Sequence, residues 1–228
     1  MKRLITWWIF VAVACAALGV EPRELDKKLR LFAVKLQEMQ SNPEKSVPPE
    51  LLRKAEGIIL LDRTKAGFLF AYQGGSGVAM VRDKSTRKWS APAFLKANEA
   101  SLGFQIGGQQ AFIVILLMNS EVTRVLTDPT FEFGGEARGT AGDKSAGTQT
   151  SVTSQEQPVL VYTDRKGLYG GVAIKGGALT PDEDANLTYY SQPVSVRDVV
   201  FDRKVPPSEA ASQLAAVVTE CGQKQALK

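Results

Sequence analysis

Residues 51–94 read LLRKAEGIILLDRTKAGFLFAYQGGSGVAMVRDKSTRKWSAPAF, and the fold class turns on this stretch. A short helix over Glu50–Glu56 gives way at Gly57 to the apolar run Ile58-Ile59-Leu60-Leu61. The polar turn Asp62-Arg63-Thr64-Lys65 leads to a second apolar run, Ala66 to Tyr72. After a Gly74-Gly75-Ser76 turn, Gly77 to Arg82 reads as a third strand, and Trp89 to Phe94 as a fourth, interrupted by Pro92. Strand follows strand through tight turns with no crossover helix, which predicts antiparallel pairing.

Towards the C-terminus the same texture continues. Leu102–Gly108 precedes Ala111–Met118, the most hydrophobic segment outside the N-terminus. Eight apolar residues are too few to cross a bilayer, so this segment is expected to be a central core strand. Asn119-Ser120 caps a helical turn over Glu121–Leu126, ended by Asp128-Pro129. Phe131–Ala141 reads as strand and the polar 143–156 segment as loop. Pro158–Thr163 and Leu168–Ile174 read as a hairpin turned at Asp164-Arg165-Lys166-Gly167. A short helix is expected to start at Pro181, with Asp182, Glu183 and Asp184 at the positive end of its dipole.

Both flanks are helical. Leu25, Leu29, Phe32, Leu36 and Met39 form one stripe of an Arg23–Met39 helix, with Lys27, Lys28, Arg30 and Lys35 outside it. That stripe suits a supporting helix packed on the domain; a basic amphipathic helix also suits an anionic membrane surface. Ser208 caps a C-terminal helix whose stripe is Ala211, Leu214, Val217, Val218 and Cys221. With about eight or nine short strands between these helices, the expected class is α+β. The architecture is a mainly antiparallel, glycine-rich sheet or barrel with an N-terminal and a C-terminal amphipathic helix.

The first residues read as an address. Lys2 and Arg3 precede the nearly all-apolar 4–17 segment, and Ala17-Leu18-Gly19 supplies small residues for cleavage. Residues 1–19 are therefore expected to be a secretory signal peptide, making the protein periplasmic or extracellular. Ala12-Val13-Ala14-Cys15 resembles a lipobox, so anchoring through a lipidated Cys15 stays open beside a soluble product. Residues 20–46 then form the N-terminal helix and linker, 47–205 the main domain and 206–228 the C-terminal helix. Without residues 1–19, 26 basic residues face 24 acidic ones, a balance that gives no reason to expect a nucleic-acid partner. Only Cys221 remains, so no intrachain disulfide is expected.

The chain has no histidine, which removes Ser-His, Cys-His and His-metal arrangements. Gly74-Gly75-Ser76-Gly77-Val78 has Val where a nucleophile elbow needs glycine. Gly142-Asp143-Lys144-Ser145 lacks the Gly-Lys pair of a phosphate-binding loop. No enzyme, cofactor or metal is expected. What remains is glycine, for sheet curvature or close backbone approach to a ligand, and local positive charge. Arg53, Lys54, Arg63 and Lys65 flank the first strand, while Arg82, Lys84, Arg87 and Lys88 flank Trp89. A basic rim beside Trp89 and Phe94 suits phosphate headgroups at an interface; ordinary solvated turns are the alternative.

Several ordered pieces resemble one family. They are Leu51–Ile58, Ala66-Gly67-Phe68, Gly75-Ser76-Gly77-Val78, Trp89–Phe94, the Gly103–Gly108 run, Gly167–Val172 and Asn186–Tyr190 with its Tyr-Tyr pair. Together they resemble the SYLF domain, also called the Ysc84 actin-binding domain family, and look like an exported bacterial member. The resemblance implies a non-catalytic lipid-binding module, directed in eukaryotic members to phosphoinositide membranes and in the yeast protein to actin filaments and endocytosis. Here an export signal without an SH3 domain ranks actin binding behind lipid binding. The expected partner is an anionic phospholipid surface, met by Arg53, Lys54, Arg63, Lys65, Arg82, Lys84, Lys88 and Trp89. A structural or protein-interaction module of the cell envelope is the competing reading.

Overall fold

The computed structural model describes residues 21–63, 74–98, 111–133, 158–164, 167–168 and 177–223. Among the described residues eight strands form one sheet: β1 (Gly57–Arg63), β2 (Gly74–Val81), β3 (Ala93–Asn98), β4 (Ala111–Leu117), β5 (Phe131–Phe133), β6 (Val159–Thr163), β7 (Gly167–Leu168) and β8 (Gly177–Pro181). Their spatial order is β5-β8-β3-β2-β1-β4-β6-β7, and every pairing is antiparallel. Among the described residues β5 and β7 stand at opposite ends of this strand order. The helices are α1 (Pro22–Ser41), α2 (Pro49–Lys54), α3 (Ser120–Thr123), α4 (Glu183–Tyr190), α5 (Val196–Val200) and α6 (Glu209–Gln223), with a 3-10 turn over Arg124–Thr127. The expected α+β class is the observed one, with a helix towards each terminus.

Helices cover both faces of the sheet, which explains the uninterrupted apolar runs. Ile58 and Leu60 of β1 face α1, α2 and α6, together with Val78, Met80, Phe94, Phe112, Val114 and Leu116. Ile59 and Leu61 face the other way, towards Leu126, α5 and Val205. Every residue of β4 is buried, as a strand with two covered faces requires.

α1 buries Leu25, Leu29, Phe32, Ala33, Leu36 and Met39, and the Phe32 ring meets Phe112 at 6.1 Å. Each fully buried Leu, Phe or Met contributes about 1.5–3 kcal/mol. That stripe is therefore committed to the domain, and the supporting-helix expectation describes it; Leu31 and Val34 are the large apolar residues exposed on α1. Lys35 completes the attachment through Asp62 at 2.5 Å.

Two glycines permit close approach. A Cβ on Gly77 would stand 2.2 Å from Leu61 Cδ2 and 2.6 Å from the Leu60 carbonyl. On Gly222 of α6 it would stand 3.2 Å from the Arg53 backbone nitrogen, so α6 presses its backbone onto α2. At these two positions the glycine serves packing between elements of the fold.

α4 is a clamp. Asn186, buried, accepts from the Phe94 N–H at 2.9 Å and donates to the Phe94 carbonyl at 3.0 Å. The Tyr-Tyr pair extends it: Tyr190 donates to the Pro92 carbonyl at 2.6 Å and Tyr189 to Asp26 Oδ1 at 2.8 Å.

Several sequence expectations shift. Gly74-Gly75-Ser76 belongs to β2, paired with Asn98, Ala97 and Lys96. Of Trp89–Phe94, Trp89 makes a single bridge to Arg82, and β3 starts at Ala93. Pro181 ends β8 opposite Leu95, and Asp182 is the N-cap of α4, its carboxylate accepting from the Ala185 N–H. α5 was not expected. The strands at Ala66–Tyr72 and Leu102–Gly108, the loop at 143–156, the signal peptide and Cys15 lie outside the described residues.

Candidate functional site

The end of α2 and the β2–β3 turn meet in one basic corner. The sequence explains the turn: Asp83 Oδ1 accepts from the Ser85 and Thr86 N–H groups at 3.0 and 2.7 Å and from both hydroxyls. These bonds, the Thr86 N–H first, hold its carboxyl well below the ordinary carboxylate range. Arg87 takes φ 59°, reversing the chain so that the Asp83 N–H reaches the Lys88 carbonyl at 2.9 Å. Arg87 then crosses to α2, pairing with Glu56 at 2.6 Å and donating to the Arg53 carbonyl at 3.4 Å. Turn and helix end are thus fastened together.

The sequence-predicted cations divide here. Arg53, Lys54, Lys84 and Lys88 are exposed and form the outer rim of the corner. Arg82 does not belong to that rim: it is only 8% exposed. Its guanidinium donates to the Ala55 carbonyl at 3.1 Å, the Arg87 carbonyl at 3.1 Å and the Leu52 carbonyl at 3.2 Å. Arg82 therefore closes the C-terminal end of α2, where helix carbonyls lack intrahelical partners. Burial and the neighbouring Arg87 lower its pKa to about 10, with Glu56 opposing, so it stays charged at neutral pH. Trp89 is buried too, its ring 4.0 Å beneath the Arg82 guanidinium, a cation–π stack inside the fold. Arg63 belongs to β1 at its far end from Gly57, away from this corner, and Lys65 lies outside the described residues.

Beside the rim opens a cleft of about 670 Å³ whose lining is scattered along the sequence. Its walls are the β2–β3 turn, the 120–127 segment and the α5–Arg203 segment. Five cationic side chains line it, Arg82, Lys84, Arg124, Arg197 and Arg203, against the two acids Glu56 and Asp83. Arg203, at φ 51°, donates to the Trp89, Val81 and Lys88 carbonyls at 3.3, 3.3 and 3.1 Å and lies 3.7 Å from Asp83. Arg197 lies 3.8 Å from Asp202. Arg124 and Lys84 are exposed, with no acidic partner among the described residues. The available signal in the sequence was local: Asn119 caps α3 through the Glu121 and Val122 N–H groups, and Ser195 with Asp198 forms a capping box on α5. Those two caps place Arg124 and Arg197.

No group of three or more potential metal-ligating residues occurs among the described residues, and no described helix is long and apolar enough to cross a membrane. The corner supplies fixed positive charge, exposed hydrogen-bond donors and space, a chemistry complementary to an anion.

Comparison with known proteins agrees with the sequence pattern. The chain is similar to the Ysc84 protein of Saccharomyces cerevisiae, 29% identical over 197 residues, covering 84% of this chain and 42% of that protein. It is 28% identical to SH3 domain-containing YSC84-like protein 1 of Xenopus laevis, covering 85% of this chain and 58% of the relative. LAS seventeen-binding protein 3 of yeast is 28% identical, covering 71% and 36%. The chain thus spans about half the length of these relatives. Residues 98–221, more than half of the chain, match the family described as Ysc84, Las17-binding protein actin regulator, and this chain belongs to that family, the SYLF domain family.

Proposed function

We propose that the chain is a non-catalytic module that binds anionic phospholipid headgroups, phosphoinositides among them, at a membrane surface. The observation that carries this reading is the exposed rim of Arg53, Lys54, Lys84 and Lys88, fastened across two elements by Arg87 and continuous with the cationic cleft. A rim of this kind gains strength from summed attraction to a charged surface, about 1 kcal/mol per basic residue near it, and weakens with salt. Export through residues 1–19, with or without a lipid on Cys15, belongs to the same proposal and would place the module at an envelope membrane.

Sedimentation with phosphatidylcholine vesicles doped with phosphatidylglycerol tests it. The wild-type chain is expected to co-sediment at low salt and to be released as salt rises. Lys54→Glu together with Lys88→Glu should abolish co-sedimentation while leaving thermal unfolding unchanged, since both side chains are exposed. Undiminished vesicle binding by that double variant would overturn the rim assignment.

The competing reading is a protein-interaction module. It is favoured by the names of the relatives, which bind Las17 or regulate actin. It expects no vesicle binding at physiological salt and a crosslinked protein partner instead.

A further inference from the structure

We propose that the cleft between the β2–β3 turn, the 120–127 segment and α5 is a recessed subsite for a phosphoanion, either a lipid headgroup phosphate or a free polyphosphate. The choice of a headgroup as natural ligand rests on the membrane reading above; the anion site itself does not.

Three observations carry it. The first is the imbalance of five cationic against two acidic side chains around one volume of about 670 Å³. Like charges gathered in a partly enclosed space repel one another, and an anion entering that space relieves the repulsion.

The second is the division of labour among the cations. Arg82 and Arg203 are held by backbone carbonyls on both sides, so they form an immobile positive wall. Arg124 and Lys84 have no acidic partner among the described residues, and Arg197 reaches Asp202 only at 3.8 Å, beyond hydrogen-bond length. Among the described residues no hydrogen bond holds their side-chain donors, so these can turn inward. A preorganised wall with free donors at the mouth binds without first breaking strong pairs.

The third is geometry. Lys84, Arg124 and Arg197 approach from three separate segments of chain. A tetrahedral oxyanion offers acceptors on all sides and suits such an approach better than a planar carboxylate does. Guanidinium groups meet phosphate oxygens through paired N–H donors.

The test uses the full chain and two probes, inorganic pyrophosphate by titration calorimetry and the phosphatidylglycerol vesicles already described. Pyrophosphate is expected to bind the wild type. The variant Arg124→Ala with Arg197→Ala, both at exposed positions, should bind it about tenfold more weakly or worse, the loss expected for charge-assisted bonds. The rim variant Lys54→Glu with Lys88→Glu should keep most of its pyrophosphate affinity, because neither side chain lines the cleft. Equal pyrophosphate binding by wild type and Arg124/Arg197 variant, or none by either, overturns the cleft proposal even where vesicles sediment normally. Pyrophosphate binding that depends on Arg124 and Arg197 without vesicle binding supports the cleft, assigns it a free phosphoanion, and overturns the membrane reading alone.

Discussion

Arg82 and Arg124 line the same cleft and do opposite things. Arg82 is buried against Trp89, and its donors are spent on the carbonyls of Leu52, Ala55 and Arg87. Arg124 follows directly on α3, is exposed, and has no acidic partner among the described residues. Neither sequence position announces this. Arg82 sits in a run of charges that suggests a solvated turn, whereas Arg124 sits among apolar residues in a short helical turn. What separates them is the nearest backbone. Arg82 lies where a helix of six residues ends with open carbonyls, and a guanidinium that finds several such acceptors becomes part of the fold. A cation that meets no such acceptors keeps its donors for something else.

The difference is largest in stability. Arg82→Met keeps much of the side-chain volume but leaves the Leu52 and Ala55 carbonyls without their donor and removes the charge from the Trp89 face. Orphaning buried acceptors costs about 1–3 kcal/mol each, so a loss of about 3 kcal/mol in urea unfolding is expected, at unchanged m-value. A loss under about 1 kcal/mol would mean that water reaches those carbonyls and that Arg82 is closer to the rim in character than its burial states.

Acid sharpens the same contrast on a smaller scale. Asp83 braces the turn beneath the cleft and Asp198 caps the α5 wall; hydrogen bonds hold both carboxyls well below the ordinary range, to Thr86 and Ser85 for Asp83 and to Lys204 and Ser195 for Asp198. A carboxyl whose folded pKa is depressed contributes stability that is complete above its unfolded pKa of about 4. The contribution is lost as pH falls towards the folded value, because the unfolded chain takes up the proton first. Stability measured from neutral pH down through the carboxylate range should therefore decline. Asp83→Asn and Asp198→Asn should each make that decline shallower; an unchanged slope in both would detach these turns from the acid response.

The sequence was most readable where one residue's neighbours in sequence are also its neighbours in space. The β1, β2 and β4 runs and the stripes of α1 and α6 follow directly from apolar periodicity, and the Asn119 and Ser208 caps from residue type. The role of Pro181 is not legible locally, because pairing with Leu95 across β8 and β3 extends the strand past the residue that favours a helix start. α5 is hard to read from sequence because five residues carry too little periodicity, although Ser195-Val196-Arg197-Asp198 holds the capping-box spacing. The gathering of Arg53, Lys54, Lys84 and Lys88 at one corner is legible because α2 and the β2–β3 turn flank consecutive strands. The approach of Arg124, Arg197 and Arg203 is not, because the faces of the sheet and its strand order bring them in from far along the chain. The burial of Trp89 was hidden for the same reason: its cover includes Arg203, 114 residues away.

The smallest effect is the most discriminating. Arg124 is the C-cap of α3 only through its backbone N–H, which Arg124→Ala keeps, and the side chain removed pairs with no described acid, so the effect on unfolding free energy should lie within about 0.5 kcal/mol, the range of ordinary surface changes. If the comparison with Arg82 is sound, the same substitution weakens pyrophosphate binding while leaving the urea midpoint where it was. A substantial loss of stability would show that Arg124 supports the 120–127 wall as Arg82 supports α2, and the cleft would then be lined by structural arginines throughout. An unchanged midpoint with unchanged pyrophosphate affinity would show instead that an exposed, unpaired arginine at this position is only a solvated charge. Stability alone cannot tell a binding cation from an idle one, and binding alone cannot tell a ligand contact from a wall that has collapsed. Both must be measured on the same variant, and Arg124, with no described acid to pair with, is the position where the two readouts separate most cleanly.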